Sequence, residues 1–301
     1  MEKEEFHDGK VRSMGNRRSY PEWKLSKVKH TILEGYVTEN IFAKQFLELT
    51  PEKFTSGWWS AIINDQRFFF LVSKTLNDVD RRVVEILSQK YPCWRAYYDN
   101  EMWNFSAGNA VLTQHQFLEK HKIGKKEKRL STKKETINKC RQEKCIEYFK
   151  NQHKLWELAS ERDFADYFLE TYAEYPVNID FFALQDNNQL CAIEVKFKYK
   201  MQAGGFGMNV GQYNLLNLLK QSEIEIYYAV LWNATGNNGL SIFEFLDQKD
   251  AVKVWLCKQI SDFTKKEKRT APSKTQVHGQ VPQSFYSFER AEFDVEIPLV
   301  Q

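Results

Sequence analysis

The sequence predicts an α/β fold in which a mostly helical N-terminal domain precedes a mixed sheet flanked by helices. Residues 154–232 change between the helical and the strand period in the order α-β-β-α-β, whereas residues 21–118 carry apolar side chains mainly at helical spacing. The composition, 42% apolar and 28% charged, is typical of a globular chain that is long enough to bury a large core.

The first half of the chain contains two amphipathic stretches. Residues 40–49 and 79–87 repeat apolar side chains every three or four positions, which predicts two helices with one buried face each. Between them, Trp58 and Trp59 are expected in the core. Aromatic residues make up 15% of the chain, so their rings should supply much of the buried surface.

The second half shows a clearer succession of elements. In chain order they are a helix over 154–172, strands over 177–184 and 190–199 joined by a polar turn, a glycine-rich loop over 204–211, a helix over 210–220, a strand over 224–232 and a helix over 250–264. The last thirty residues contain three prolines, which favours loops or an edge strand.

A basic segment is hidden in the overall charge of +3. Residues 120–144 contain eleven lysines and arginines against three glutamates. One interpretation is a solvated linker. The other is a segment that contacts phosphate groups, because clustered cations bind nucleic acid by releasing condensed counterions. The candidate phosphate contacts, with two lysines from further along the chain, are Lys125, Lys126, Lys128, Arg129, Lys133, Lys134, Lys198 and Lys200.

Cysteines and apolar segments favour a cytoplasmic location. The five cysteines have no spacing typical of a disulfide framework, so we expect a reducing compartment. The N-terminus lacks the apolar segment of a signal peptide, and no apolar run reaches the roughly 20 residues of a membrane span. We therefore expect no membrane partner.

Two acidic residues are expected to face each other across a hairpin. A hairpin centred on Asn187 places Asp180 opposite Glu194, because the two positions are symmetric about residue 187. Opposed residues of an antiparallel pair lie on one face with Cβ atoms about 4.5–5.5 Å apart. Lys196 is two residues further along the second strand, so it shares this face.

This trio points to chemistry on phosphate esters. Two facing carboxylates repel each other, and a divalent cation removes that penalty; Mg²⁺ is typically held by one or two carboxylates and a substrate phosphate. Lys196 could orient or deprotonate a water, or stabilise charge on the phosphate. The alternative is an amphipathic strand with Glu194 and Lys196 in solvent. Asp180 argues against it, because a charge without a partner is costly in an apolar strand.

The arrangement resembles the PD-(D/E)XK nuclease superfamily, the fold of many restriction endonucleases and Holliday-junction resolvases. Asp180 matches the first acid, and Glu194, Val195 and Lys196 match the (D/E)XK element, within a resemblance that covers roughly residues 154–232. The first acid follows isoleucine instead of proline. The family also has a strand between its first helix and this acid, for which the sequence shows no candidate.

The resemblance implies a ligand set and a catalytic lysine. Asp180, Glu194 and the main-chain carbonyl of Val195 would bind Mg²⁺, with Mn²⁺ able to substitute. Lys196 would position or activate the attacking water.

The resemblance also implies two auxiliary residues. Many members carry an acid on the first helix. Glu161 lies on the apolar face of the predicted helix, and Glu170 is the alternative. Some members carry a glutamine at the start of the second helix, where Gln212 stands and where free N–H groups attract anions. The other interpretation of Gln212 is a first-turn surface residue.

Taken together, the resemblance implies a restriction-endonuclease-like mixed sheet and a Mg²⁺-dependent nuclease that acts on DNA. A type II restriction endonuclease working as a homodimer is the first expectation. The alternatives are a junction resolvase, a repair or defence exonuclease, or a non-catalytic DNA-binding protein of the same fold. The chain then divides into a recognition domain, a basic segment, a nuclease domain and a C-terminal tail, over 1–118, 119–150, 151–264 and 265–301.

Overall fold

A computed structural model describes residues 19–47, 53–99, 101–126, 137–199, 205–235, 239–264, 268–270 and 284–300. The described chain is mixed α/β, with three sheets. Its α-helices are α1 (Tyr20–Leu25), α2 (His30–Phe46), α3 (Asp78–Leu87), α4 (Gln114–Lys120), α5 (Lys139–Asn151), α6 (Leu155–Asp163), α7 (Glu170–Tyr172), α8 (Val210–Lys220) and α9 (Ile242–Asp247). Within these ranges, no helix is both long and apolar enough to cross a membrane.

The described ranges contain fifteen strands. They are β1 (Phe54–Thr55), β2 (Trp58–Ile63), β3 (Gln66–Val72), β4 (Cys93–Asp99), β5 (Met102–Ala107), β6 (Ala110–Thr113), β7 (Glu174–Ile179), β8 (Phe181–Leu184), β9 (Leu190–Tyr199), β10 (Gly205–Asn209), β11 (Glu225–Asn233), β12 (Lys253–Gln259), β13 (Lys268–Thr270), β14 (Ser284–Glu289) and β15 (Val295–Pro298).

The central sheet has the strand order β1-β8-β9-β11-β12-β15. β8 and β9 form the hairpin expected from the sequence, and β11 runs parallel to β9. Parallel neighbours need a crossover connection, and α8 lies within it. β12 and β15 continue the sheet antiparallel. Both faces are covered, so β9 and β11 are apolar over much of their length.

Different helices cover the two faces of the central sheet. On one face, Val83 of α3 and Leu216 of α8 belong to the same buried cluster as Ala192 of β9. On the other face, Val37 of α2 clusters with Val195 of β9, together with side chains of α5 and α9. Helix α2 therefore packs on the sheet that carries Glu194, although the sequence assigns it to the N-terminal domain. The predicted domain boundaries stay a prediction.

The second sheet corrects the prediction that residues 21–118 are mostly helical. It has the order β6-β5-β4-β3-β2-β7 and is called the N-terminal sheet below. The helices expected around residues 40–49 and 79–87 are present as α2 and α3, but strands occupy much of the remainder. Asn64 and Asp65 both have positive φ and join β2 to β3 through a two-residue turn. Their turn-forming tendency was the overlooked signal.

Aromatic rings fill the core beside the N-terminal sheet, as the composition predicted. The helix expected over 154–172 is observed as α6, a π-helical turn (Phe164–Leu169) and α7. The Phe168 ring lies 4.8 Å from that of Phe105 in β5, and the Phe164 ring lies 5.4 Å from that of Phe70 in β3. The helical segment is therefore held against the N-terminal sheet by ring packing.

A two-stranded antiparallel ribbon runs through both of these sheets. In the N-terminal sheet Trp58 pairs with Ile179, and in the central sheet Thr55 pairs with Phe182. Both pairs belong to one register, which places Gly57 opposite Asp180 where the ribbon leaves one sheet for the other. Gly57 has φ +80°, and a Cβ there would lie 3.2 Å from the Val72 carbonyl oxygen, so this position favours glycine.

The Asp80 carboxylate ties the ribbon to helix α3. Its Oδ1 accepts hydrogen bonds from Thr55 Oγ1 at 2.6 Å and from Trp58 Nε1 at 3.0 Å. Its Oδ2 accepts the main-chain N–H of Asn77 at 3.0 Å. One buried side chain therefore connects a strand of each sheet with the start of α3.

Two further expectations for the second half are wrong. The predicted helix over 250–264 is strand β12, because Trp255 and Leu256 are buried in clusters on opposite faces of the central sheet, which a strand allows. The predicted glycine-rich loop contains strand β10, which pairs with β14. For the last thirty residues, predicted as loops or an edge strand, β15 is an edge strand of the central sheet, whereas β14 is the middle strand of the sheet β10-β14-β13. All five cysteines lie in described ranges and are unpaired.

We expect Asp80→Ala to lower the free energy of unfolding by about 3 kcal/mol or more, because two buried donors and one half-buried donor lose their acceptor. The matched control is Asp78→Ala in the same helical turn. The Asp78 side chain is 78% exposed, so its loss should change stability by less than about 1 kcal/mol. Urea denaturation of both variants measures the difference, and equal losses would contradict the tying role of Asp80.

Candidate functional site

Asp180 lies at the seam between the central and the N-terminal sheet. It separates β7, which pairs with β2, from β8, which pairs with β9. Its side chain is buried and accepts several hydrogen bonds. Oδ1 accepts Asn178 Nδ2 at 3.0 Å, and Oδ2 accepts the Val195 N–H at 2.7 Å. The carboxylate is therefore held in a fixed orientation by hydrogen bonds from β7 and β9.

The hairpin register predicted for Asp180 and Glu194 is confirmed. Phe181 pairs with Ile193, so the same register carried one residue further sets the two acids opposite each other. Both are almost fully buried, at 2% and 1% exposure. Lys196 Nζ lies 3.2 Å from Asp180 Oδ2 and 2.5 Å from Glu194 Oε1. The three side chains form one contact group, as the sequence predicts.

Lys196 is held in its charged form by the surrounding acids. Burial on its own would lower the pKa of this lysine. The carboxylates of Asp180, Glu194 and Glu39 outweigh burial and raise the pKa above its ordinary value. The ammonium group can therefore donate hydrogen bonds and neutralise charge, whereas accepting a proton from water is disfavoured.

Gln212 belongs to the site rather than to the surface. Asn209 caps α8 by accepting the Gln212 N–H at 2.8 Å, and its Nδ2 donates to Gln212 Oε1 at 2.6 Å. The Gln212 amide Nε2 donates to Glu194 Oε1. Burial, followed by the charge of Asp180, raises the pKa of Glu194 to about 8. Gln212 thus orients a carboxyl group that burial makes hard to ionise.

Glu39 on α2 is a site residue that the sequence reasoning missed. Burial raises the pKa of its carboxyl well above the ordinary value. The charges that act on it most strongly are those of Asp180, Lys196, Glu161 and Glu194. The predicted helix begins at residue 40, one position too late to include it. The observed α2 begins at His30, and extending the apolar pattern back to Leu33 and Val37 would have placed Glu39 within the helix.

Glu161 lies on the buried face of the helix, as the sequence predicted, whereas Glu170 does not. Glu161 is 9% exposed, and its Oε1 accepts the Tyr36 hydroxyl and the Trp59 indole N–H, both at 3.1 Å. Burial raises the pKa of Glu161 to about 7, although these hydrogen bonds oppose the rise. Glu170 is exposed.

Two adjoining cavities open at the seam. The acidic pocket, with a volume of about 250 Å³, is lined by Glu39, Glu161 and Asp180 among others. One wall is a single face of α2, with Tyr36, Glu39, Asn40 and Ala43 at helical spacing. The aromatic cavity, of about 500 Å³, lies between α6 and the ends of β3 and β4, and its lining includes Tyr97, Tyr98, Trp103 and Trp156. Glu161 lines both cavities.

The predicted phosphate-contacting lysines divide into three groups. Lys198 shares the strand face of Lys196, and burial, followed by the Lys196 charge, lowers its pKa to about 8. Lys125 is exposed, whereas Lys126 Nζ donates to the Ala173 carbonyl. The remaining candidates lie outside the described residues; they are Lys128, Arg129, Lys133, Lys134 and Lys200.

The predicted metal ligands offer oxygen atoms on one strand face. Asp180 and Glu194 supply carboxylates, and the Val195 peptide joins them through its N–H bond to Asp180. In the described ranges, no group of three or more His, Cys, Asp or Glu side chains is arranged as a metal site. Acids outnumber lysines in the lining of the acidic pocket. Burial is the main cause of the raised pKa values of Glu39 and Glu161 there.

We expect Glu161 to make folding stability depend on pH. Its pKa is about 7 in the folded chain against 4.5 for the ordinary group, so the folded state binds the proton more tightly. The resulting stabilisation of the folded state amounts to about 3 kcal/mol. It is complete below pH 4.5 and is lost as the pH rises through 7. Relative to Glu161→Gln, the wild type should lose this amount between pH 4.5 and pH 8.

Urea unfolding in EDTA at these pH values measures the effect. The control is Glu147→Gln on the exposed side of α5, which should retain the wild-type pH profile. A wild-type profile parallel to that of Glu161→Gln would show that Glu161 ionises normally.

Comparisons with protein-family models, curated proteins and solved structures found no match, so the function has to be argued from this geometry and the sequence pattern.

Proposed function

We propose that this protein is a Mg²⁺-dependent nuclease that hydrolyses phosphodiester bonds in DNA. The observation that carries the proposal is the contact group of Asp180, Glu194 and Lys196. Two buried carboxylates lie opposite each other, and one ammonium group is within 3.2 Å of both. A carboxylate pair with an adjacent cationic donor is suited to holding a divalent cation and a phosphate group together.

The topology supports the resemblance to the PD-(D/E)XK superfamily. The strand for which the sequence shows no candidate corresponds to β1, which follows α2 and pairs with β8. In chain order, α2, β1, β8, β9, α8 and β11 then form a helix, three antiparallel strands, a helix and a strand parallel to β9. The N-terminal sheet is largely an insertion between β1 and β8. In this alignment α2 is the first helix, so Glu39 takes the place of the helix acid.

The donor set fits a hard divalent cation. Asp180, Glu194 and the Val195 carbonyl would hold Mg²⁺, and Mn²⁺ is expected to substitute. The bound ion would polarise a phosphate oxygen and lower the pKa of a coordinated water. Its charge would also favour the ionised form of Glu194, whose pKa burial and then the Asp180 charge raise to about 8. Glu39 and Glu161 lie next to this group and would act as auxiliary acids.

The protein side chains have separate tasks in this proposal. Lys196 carries a stable positive charge, which favours stabilisation of the phosphate over removal of a proton from water. Gln212 keeps Glu194 in position through its amide. Lys198, whose pKa is lowered to about 8, lies on the same strand face and adds a further phosphate contact.

The kind of DNA nuclease can be tested with plasmid DNA. A restriction-type endonuclease that acts as a homodimer would cut a plasmid into discrete bands. A structure-specific or repair nuclease would give a smear, or would prefer branched substrates. A non-catalytic DNA-binding protein would bind without cleavage. Incubation with Mg²⁺ followed by mapping of the ends distinguishes these outcomes.

We expect Lys196→Ala to lower the rate of DNA cleavage by about 100-fold or more, because the phosphate loses its charged donor. Lys249→Ala, which removes an exposed lysine that is not part of the contact group, is the control and should cleave at the wild-type rate. A fluorogenic oligonucleotide assay with Mg²⁺ gives both rates. Full activity of Lys196→Ala would refute the assignment of the site.

We expect Glu39→Gln to raise the Mg²⁺ concentration needed for half-maximal cleavage, because one acid beside the proposed ligands becomes neutral. Glu147→Gln on the exposed side of α5 is the control. Titration of the cleavage rate with Mg²⁺ measures the shift. If Glu161→Gln shifts the titration and Glu39→Gln does not, the helix acid is Glu161 as the sequence first suggested.

A further inference from the structure

The aromatic cavity adjoins the acidic pocket beside Asp180 and shares part of its wall. Both are lined by the turn between β1 and β2 and by one face of α6. The shared lining residues are Phe54, Ser56, Gly57, Glu157 and Glu161. A group bound in the aromatic cavity would therefore lie next to the phosphate that the proposed nuclease site attacks.

The lining of the aromatic cavity suits a planar ring. Tyr97 and Tyr98 come from β4, Trp103 from β5 and Trp156 from α6. Trp103 is almost fully buried, while the other three rings are partly exposed. The Trp156 ring is backed by Tyr20, with centroids 5.9 Å apart, and Tyr98 meets Trp103 edge-on at 5.6 Å. These contacts hold the rings in position before any ligand arrives.

The charges around the aromatic cavity favour a base over a phosphate. Glu157 and Glu161 lie on its α6 wall, and Lys74 is the lysine in its lining. Carboxylates repel phosphate groups but accept hydrogen bonds from the amino and N–H groups on base edges. The phosphates of a bound strand would instead approach Lys196 and Lys198, which lie on the face of β9 that carries Glu194.

The size of the cavity excludes a paired base. About 500 Å³ is in the range of pockets for small molecules, far below the space that a duplex requires. A base within a duplex would have to leave its partner and its stack before entering, whereas a base in a single strand is already available. The observations thus favour single-stranded DNA.

We infer that the aromatic cavity binds an unpaired nucleobase of single-stranded DNA next to the scissile phosphate. This inference rests on the proposed nuclease function and specifies its substrate as DNA with unpaired nucleotides. Among the proposed activities it favours the structure-specific or repair nuclease over a restriction enzyme that acts on intact duplex. Stacking on protein rings would supply the affinity without strong sequence preference.

The test uses the full-length chain and a single-stranded oligonucleotide with 2-aminopurine at its centre, in EDTA so that no cleavage occurs. Stacking on an aromatic side chain should quench the 2-aminopurine fluorescence, and anisotropy reports total binding. Trp156→Ala should weaken binding about fivefold or more and relieve the quenching, in line with the worth of one base–ring contact. Tyr175→Ala removes a 63% exposed ring outside the cavity and should bind as wild type.

A second variant shows whether the loss of quenching in Trp156→Ala comes from the cavity or from misfolding. Ser160 lies in the cavity lining on α6, so Ser160→Trp should fill the space without removing any ring. Ser160→Trp should also abolish the quenching. Trp156→Phe keeps a ring at position 156 and should retain most of the quenching that Trp156→Ala loses. Circular dichroism and thermal unfolding confirm that the variants are folded.

The outcomes separate this inference from the proposed nuclease function. Quenching by single-stranded DNA that is lost in both Trp156→Ala and Ser160→Trp supports it, even if no cleavage is found with Mg²⁺. Absence of quenching in the wild type, equal binding by all variants, or equal quenching with a fully paired duplex would overturn it, even if the protein cleaves DNA.

Discussion

The structure depends on one antiparallel ribbon that belongs to two sheets. Residues 54–60 and 177–183 keep a single register while they pass from the central sheet into the N-terminal sheet. At the crossing, Gly57 lies opposite Asp180, and neither residue belongs to a strand of either sheet. The ladder is interrupted there, beside the two cavities, and the Asp180 carboxylate accepts hydrogen bonds from Val195 and Lys196 of β9 and from Asn178 of β7.

The seam concentrates acidic groups in a place where water is scarce. Asp180, Glu194, Glu39 and Glu161 come from two helices and the hairpin, and Lys196 meets two of these acids directly. Burial and mutual repulsion raise the pKa values of Glu39 and Glu194. Such an arrangement costs stability, so the surrounding aromatic core and the Asp80 network have to hold the elements together. A cation at the seam would relieve that cost.

Prediction from the sequence succeeded where the contacts are local. The turn at Asn187 sets the pairing of β8 with β9, so the positions of Asp180, Glu194 and Lys196 follow from a short local segment, residues 180–196. Prediction failed where the strands that pair are far apart in the sequence. β1 has only two residues and is recognisable only by its pairing with β8, and β12 is a strand because β11 lies beside it. Short strands carry too little periodicity to be identified without their neighbours.

The amino-acid pattern alone settled the hairpin, its register and the shared face of two acids and a lysine, because side-chain alternation and turn symmetry are properties of a short segment. Tertiary structure decided what surrounds that face. Glu39 reaches the site only because α2 packs on β9, and the aromatic cavity exists only because the N-terminal sheet inserts between β1 and β8. Contacts between segments more than 100 residues apart are set by how the sheets and helices pack, which no local pattern encodes.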